Sequence, residues 1–275
     1  MAFALLRRVA EPVGDIVAAA DQISSRNFAV RVPEHGPESV RTVARAFNTM
    51  AARLETQDQK RRDLMADIAH ELRTPLAVLQ GRIEGLIDGV YPRDEARLGE
   101  LLEETRVLAR LVDDLQTLSH SESGTLVLQK ESTDLAAVAR EAAAALSARA
   151  DAKGVRVEVT SPPDLPMANA DPVRVREVLT NLLTNALRHT PAGGAVDVRL
   201  ESVGAGLSIR VADTGTGIPP EDLPKIFDRF YKGRESSGSG LGLTIARDLV
   251  VAHGGQIHAD SRVGQGTTIS VTLPA

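Results

Sequence analysis

Cysteine and tryptophan are absent from this 275-residue chain, and aromatic residues make up only 3% of it. Without cysteine there are no disulfides, no thiol catalysis and no Cys-ligated zinc, and a reducing compartment is in keeping with the composition. An excess of basic charge is also missing. The formal net charge is −5, which gives no broad electrostatic grip on nucleic acid, so none is expected as a partner. No run approaches the roughly 20 apolar residues of a membrane helix. The chain opens MAFALL and then Arg7 and Arg8, a pattern that suits either a frayed terminus or the cytoplasmic end of a membrane helix lying further upstream. What is present is 43% hydrophobic and 25% charged residues, the balance of folded domains with real cores.

Apolar spacing divides the chain into two regimes. From Val40 through Val43, Phe47, Met50 and Leu54 the gaps are 3, 4, 3 and 4, a heptad seam for a coiled coil or bundle. The phase continues through Gln57 and Arg61 to Leu64 and Ile68. Then Ile68, Leu72, Leu76 and Leu79 make gaps of 4, 4 and 3, a stutter that locally unwinds a left-handed supercoil. The seam resumes at Ile83, Leu86 and Val90. DGVYPRD, residues 88–94, reads as a turn, and Leu98, Leu101, Thr105, Leu108, Val112, Leu115 and Leu118 form a second run. Two such helices make an antiparallel hairpin. Their apolar faces exceed what one hairpin buries, so two hairpins are expected to pair as a four-helix dimer. Upstream, Pro12 to Ser25 reads as a shorter helix and RNFAVRVPEHGPES as an extended connector.

Beyond SHSESG, residues 119–124, the period changes. TLVLQ and VRVEVT alternate like strands, Asp134 to Ala152 reads as an alanine-rich helix with an N-cap, and Asp171 opens another helix to about His189. AVDVRLES with GLSIRVAD, and QIHADS with TTISVTLP, are paired strand candidates. Strands and helices intermix, so the second half is an α/β domain.

Several residues stand apart from this architecture. His70 lies two positions from both Ile68 and Leu72, about 200° around the helix from the seam, and so faces solvent. Pro75 leaves the Glu71 carbonyl without its helical partner and biases Thr74 away from helical geometry. Glu71 could accept a proton or fix the ring tautomer that frees one nitrogen as a nucleophile. Arg174, Glu177, Asn181, Asn185 and Arg188 follow at gaps of 3, 4 and 4, then 3, one stripe on the polar face of the Asp171 helix. Asparagine is a poor helix former, so two of them one turn apart suggest oxygen ligands for a hard cation, with arginine nearby for phosphate. ADTGTGI, residues 212–218, follows a strand. Asp213 there can accept a hydrogen bond from a group such as an adenine amine, and Gly215 and Gly217 allow close backbone approach. GSGLGL, residues 238–243, enters the helix Leu241–His253, an arrangement suited to phosphates. Between them, IFDRFYK and GRESSGSG read as a mobile lid anchored by its phenylalanines. The P-loop and Rossmann patterns are both missing.

Taken together and in this order, these residues resemble the cytoplasmic part of a bacterial two-component sensor histidine kinase. AHELRTPL resembles the phosphoacceptor box, and NLLTNALRHT, DTGTGI, IFDRFYK, GSGLGL and GTT resemble the nucleotide-domain boxes. RVPEHGPESVRTVARAFNTMAARLE is similar to the second half of a HAMP relay module. The resemblance implies a multidomain α plus α/β chain: HAMP-like helices over 1–57, a dimerisation and phosphotransfer hairpin over 58–122, and a Bergerat-type ATP-binding sandwich over 123–275. It implies that ATP and Mg²⁺ are bound, with Asp213 on adenine, Asn185 on the metal with Asn181 assisting, and Arg188 and His189 near the phosphates. Gly215, Gly217, Gly238, Gly240, Leu241, Gly242 and Thr267 would complete the nucleotide site. His70 would take the γ-phosphoryl group with Glu71 beside it and pass it to an aspartate of a response-regulator receiver. Thr74 matches the position that orients water in the reverse, phosphatase reaction. The implied protein is a homodimer, attached to the inner face of the membrane only through an upstream segment. Two competing readings are an ATP hydrolase using Glu177 and a catalytically dead scaffold. The hairpin carrying His70 argues against the first, and the intact set of Asn185, Asp213 and glycines against the second.

Overall fold

A computed structural model describes residues 2–92, 94–122, 125–204, 206–233 and 239–274. The chain falls into two compact units, Met1–Thr74 and Pro75–Ala275. In the first, α1 (Ala2–Ser24) is followed by an irregular connector and by α2 (Glu38–Ile87). The expected start of α1 at Pro12 is corrected: the helix begins at Ala2 and runs through the proline, which removes only one ladder hydrogen bond. Ala19, Val32, Ala44, Phe47 and Ala51 form the core of this unit, with Ile16, Ile23 and Val30 packed around them. Asn48 ties the connector to α2, since its Nδ2 donates to the Val32 carbonyl and its Oδ1 accepts the Val32 amide, both at 2.9 Å.

The packed stripe of α2 is therefore Val40, Ala44, Phe47 and Ala51, whereas Val43 and Met50 of the expected seam are exposed. Alanine allows the connector to lie close, and the larger side chains are left on the adjacent face. No helix among the described residues is long and apolar enough to cross a membrane.

In the second unit, the end of α2 and α3 (Glu95–Glu122) form the expected hairpin. Arg82 ion-pairs with Glu100 at 3.2 Å and Glu104 at 3.7 Å across it. Its turn is fitted by the Tyr91 ring, which lies where a Cβ on Gly85 would be, and by Arg97 5.3 Å above that ring. On α3 the expected seam splits: Leu118 is buried while Leu98 and Val112 are exposed, and Leu111, outside that seam, is buried in their place.

The α/β part has a five-stranded sheet in the order β2-β4-β5-β7-β6 and a separate β1-β3 pair. The strands are β1 (Glu131–Thr133), β2 (Arg156–Thr160), β3 (Ala168–Ala170), β4 (Ala195–Val203), β5 (Gly206–Asp213), β6 (Gln256–Arg262) and β7 (Gly266–Pro274). β2 runs parallel to β4 and the other neighbours are antiparallel. Val198 faces Val211, Leu200 faces Ile209, and Ile209 faces Val271, so strict alternation gives one apolar sheet face. Helices α4 (Leu135–Ala145), α6 (Pro172–His189) and α7 (Gly242–Ala252) pack against the sheet, making the expected α/β sandwich.

Asp134 caps α4 as read, accepting from the Ala137 amide at 3.0 Å. The expected single helix to Ala152 instead breaks at Leu146, and α5 (Ser147–Lys153) follows. TLVLQ is no strand either. Val127 is 82% exposed and the Gln129 amide is taken by the Asp171 carboxylate at 2.9 Å, so the pairing begins only at Glu131.

Candidate functional site

On α2, His70 is exposed, Glu71 is half-buried and Thr74 is exposed. Ile68 and Leu72 on either side of His70 are half-buried, so the imidazole faces water as its place in the turn requires. The helix continues through Pro75 to Ile87. The Thr74 hydroxyl reaches back to the His70 carbonyl at 3.5 Å, a local contact that tends to bend a helix. The exposed ring thus stands five positions before a proline, on a helix missing one internal hydrogen bond.

In the second unit, α6 is the rod on which the other candidates are arranged. Asp171 caps it, accepting from the Val173 and Arg174 amides at 3.0 and 3.1 Å, and Leu179, Leu182, Leu183 and Ala186 bury its inner face. Asn181 and Asn185 lie one turn apart and half-buried. Asn181 lies against Gly242 at the start of α7, where an added Cβ would be 3.5 Å from its Oδ1. At the other end the His189 carbonyl accepts the Thr216 amide at 3.3 Å and would be 2.5 Å from a Cβ on Gly215. The rod from Asn181 to His189 thus spans about 12 Å between the two glycine clusters.

Asp213 ends β5. Its Oδ1 accepts the Gly215 amide at 2.8 Å and the Thr267 amide at 3.2 Å. Burial pushes its carboxyl up, and these two amides pull the other way. With Oδ1 doubly engaged, Oδ2 can accept from a ligand. Gly217 has φ +71° and a Cβ there would strike the Arg262 carbonyl; Gly266 is held likewise against the Asp213 carbonyl. Only glycine permits both the left-handed turn and the close approach. Gly240 has φ +72° against the Phe230 backbone, and Leu241 is fully buried before α7. Gly238 lies outside the described residues.

Charge accumulates at the end of α6. Burial lowers the Arg188 guanidinium, with Arg149 beside it adding to the shift. Burial likewise lowers His189, helped by Arg188 and Lys153. A bound anion would relieve both. Lys153 meanwhile donates to the Leu187 and Arg188 carbonyls at 2.6 Å, where the helix dipole favours a cation.

The residues fit a nucleotide and a hard cation on one direct observation: the Asn181 Nδ2 is buried with no hydrogen-bond partner among the described residues. An orphaned donor costs about 1–3 kcal/mol, which a phosphate oxygen would recover. Rotating the amide presents Oδ1, the atom a hard cation takes.

Sequence reading alone missed several supporting residues. Ser261 donates to the Gly266 carbonyl at 2.9 Å and accepts the Ile218 amide at 2.8 Å, bracing the Asp213 turn from β6. Asp114 of α3 accepts from the Ser239 hydroxyl at 3.5 Å, and burial followed by the charge of Glu177 pushes its carboxyl up to about 6, with the Ser239 hydrogen bond and then Arg110 opposing. Apart from the Ser261–Gly266 bond, five positions long, these contacts join residues far apart in sequence, and no local pattern marks them.

Residues 170–275 match the family of histidine kinase-, DNA gyrase B- and HSP90-like ATPases. Residues 60–124 match the His Kinase A phospho-acceptor domain and residues 4–56 the HAMP domain. The chain is 36% identical over 277 residues to the signal transduction histidine-protein kinase BaeS of Escherichia coli K12, covering 99% of this chain and 59% of BaeS. It is 33% identical to the sensor histidine kinase CusS of the same strain, covering 96% of this chain and 56% of CusS. The chain therefore spans somewhat more than half the length of these relatives. Among solved structures, the Acinetobacter baumannii histidine kinase AdeS superposes with a TM-score of 0.66 at 33% identity, over 74% of this chain and 97% of that one. The chain belongs to the bacterial two-component sensor histidine kinases.

Proposed function

We propose that this chain is the catalytic portion of a protein-histidine kinase: ATP phosphorylates His70, and the group then passes to an aspartate of a response-regulator receiver domain. The observation that carries the reading is the pairing, in one chain, of an exposed histidine on a proline-bearing helix with the tight glycine turns around Asp213 and an Asn181 amide nitrogen that has no partner among the described residues. The proposed division is a HAMP relay over 1–57, a dimerisation and phosphotransfer hairpin over 58–122 and an ATP-binding domain over 123–275. The protein acts as a homodimer, and an upstream segment holds it at the inner face of the membrane.

Asp213 accepts a hydrogen bond from the adenine amine through its free oxygen, and the glycines let the backbone approach the nucleotide. Asn185, assisted by Asn181, would hold Mg²⁺ against the phosphates. Bound there, the metal offsets charge on the leaving diphosphate. Arg188 and His189 face the phosphates, with Gly240, Leu241 and Gly242 presenting amides. The unprotonated ring nitrogen of His70 attacks the γ-phosphorus, the bond to the β–γ bridging oxygen breaks, and ADP leaves. Glu71 receives the proton of the other ring nitrogen. The receiver carboxylate then attacks the same phosphorus and the N–P bond breaks. In the reverse direction Thr74 orients a water against the phosphorylated receiver.

Simple ATP hydrolysis is not favoured, because Glu177, its candidate base, is held by Arg174 at 2.7 Å. Incubation with magnesium and γ-labelled ATP tests the reading. Acid-labile, alkali-stable label on the wild type and none on His70→Gln is the expected result. Phosphate release without protein label would replace kinase by hydrolase. Mixing His70→Gln with Asn185→Ala chains then tells transfer within a subunit from transfer between subunits.

A further inference from the structure

One carbonyl outside the nucleotide residues is held by two side-chain donors. The Phe227 oxygen accepts the Thr244 hydroxyl at 3.0 Å and an Arg247 guanidinium nitrogen at 2.9 Å. Thr244 is fully buried. Arg247 is itself fixed, because its Nε and second terminal nitrogen both donate to Asp248 Oδ1, at 3.0 and 2.9 Å. Both donors lie in the first two turns of α7, directly after Gly240–Gly242.

The Phe227 carbonyl opens a tight turn. The Asp228 amide donates to Lys225 and the Tyr231 amide to Asp228, and Phe230 sits at φ +56°, a strained value for a bulky residue. Strain of this kind persists only where surrounding contacts over-determine it. The Phe230 backbone in turn presses on Gly240, where a Cβ would be 2.7 Å away. Residues 227–230 and 240–247 thus close a ring: α7 holds Phe227, Phe227 sets the turn, and the turn fixes Gly240.

We infer that Thr244 and Arg247 are positioning residues that set the height of the glycine cluster over α6 by pinning the Phe227–Phe230 turn to α7, and so determine ATP affinity without touching the nucleotide. The inference rests on the nucleotide reading of the residues around Asp213 and Asn181. It does not require that His70 be the acceptor.

The test compares wild type with Arg247→Met, Arg247→Lys, Thr244→Val and Thr244→Ser in the full chain. Titration with a fluorescent ATP analogue is read beside the ATP KM and kcat of autophosphorylation. Loss of a charge-assisted hydrogen bond to a site-forming carbonyl corresponds to a weakening of about tenfold. Arg247→Met and Thr244→Val are expected to raise Kd and KM by that order with kcat at saturating ATP reduced less than about twofold. Arg247→Lys and Thr244→Ser, which each keep a donor, should recover most of the affinity. A merely structural role would instead lower kcat per total protein at unchanged KM, and that outcome overturns the inference, as does unaltered affinity in both donor-free variants. If Arg247→Met fails to fold, the near-isosteric Thr244→Val, read beside Thr244→Ser, decides alone. A wild type that binds the analogue but leaves His70 unlabelled refutes the kinase reading, and the affinity comparison still judges Thr244 and Arg247.

Discussion

Asp213 shows how much of the chemistry depends on individual atoms. Its Oδ1 already serves two amides, so an asparagine can keep those bonds while turning the ligand-facing acceptor into a donor. Asp213→Asn should weaken ATP binding about a hundredfold, the scale of leaving a buried polar pair mismatched. The nucleotide-free melting temperature should change little. Analogue titration with a parallel thermal melt measures both, and undiminished affinity would remove Asp213 from the site. Gly217→Ala tests the turn below it. At φ +71° against the Arg262 carbonyl, a methyl group should destabilise the fold by about 1–3 kcal/mol, seen in urea unfolding; a loss below that range would mean the turn relaxes freely. Asp213, Gly215 and Gly217 were all legible in the sequence because each motif is local. Ser261, Lys153 and Asp171's second partner were not, because their contacts cross 43, 34 and 42 positions of chain.

Among the elements, α6 and α7 are tied at the ends remote from the glycines. His253 is buried, its Nδ1 lies 2.8 Å from the Leu249 carbonyl, and its Nε2 accepts the Asp171 amide at 3.1 Å. That arrangement fixes one neutral tautomer. Lys130 also donates to the His253 carbonyl at 3.2 Å, so the same point anchors the segment leading in from α3. His253→Ala should cost about 2–4 kcal/mol through the cavity and the orphaned amide, and a urea-unfolding loss under 1 kcal/mol would contradict this bridging role.

Asp114 gives α3 a pH-dependent contact with Ser239, in the segment that leads into α7. Because its folded pKa of about 6 lies above the ordinary 3.8, its stabilising contribution is full below the lower value and is lost as pH rises through about 6. Asp114→Asn should therefore gain on wild type across that range and be more stable by about 1 kcal/mol at pH 8, after discounting for partial exposure. A difference that does not vary between pH 5 and 8 would contradict it. Period and capping made α4, α6 and the β4–β5 and β6–β7 pairs readable in the sequence. The three-residue strands and the break at Leu146 carry too few residues to show a period.

For the molecule as a whole, the order of motifs was readable but the choice of packed stripe was not. Heptads offer two adjacent faces, and one chain buries only one: Ala44 and Ala51 go inside while Val43 and Met50 stay out, and Leu111 is buried while Leu98 and Val112 are not. Leu76, Ile83 and Ile87 are exposed on the hairpin as well. A second copy covering these faces is the proposed dimer. Ile83→Glu with Leu98→Glu should give monomers in sedimentation velocity without loss of analogue binding, and persistent dimers would place the interface elsewhere.

The central claim is that the solvent-facing ring at position 70 receives the terminal phosphoryl group of ATP. Its most direct measurement is peptide mapping at neutral pH after brief incubation with magnesium and ATP. A phosphoramidate confined to the peptide containing His70, discharged on adding a receiver domain, is the predicted result. An unmodified His70 peptide in protein that demonstrably binds ATP would contradict it.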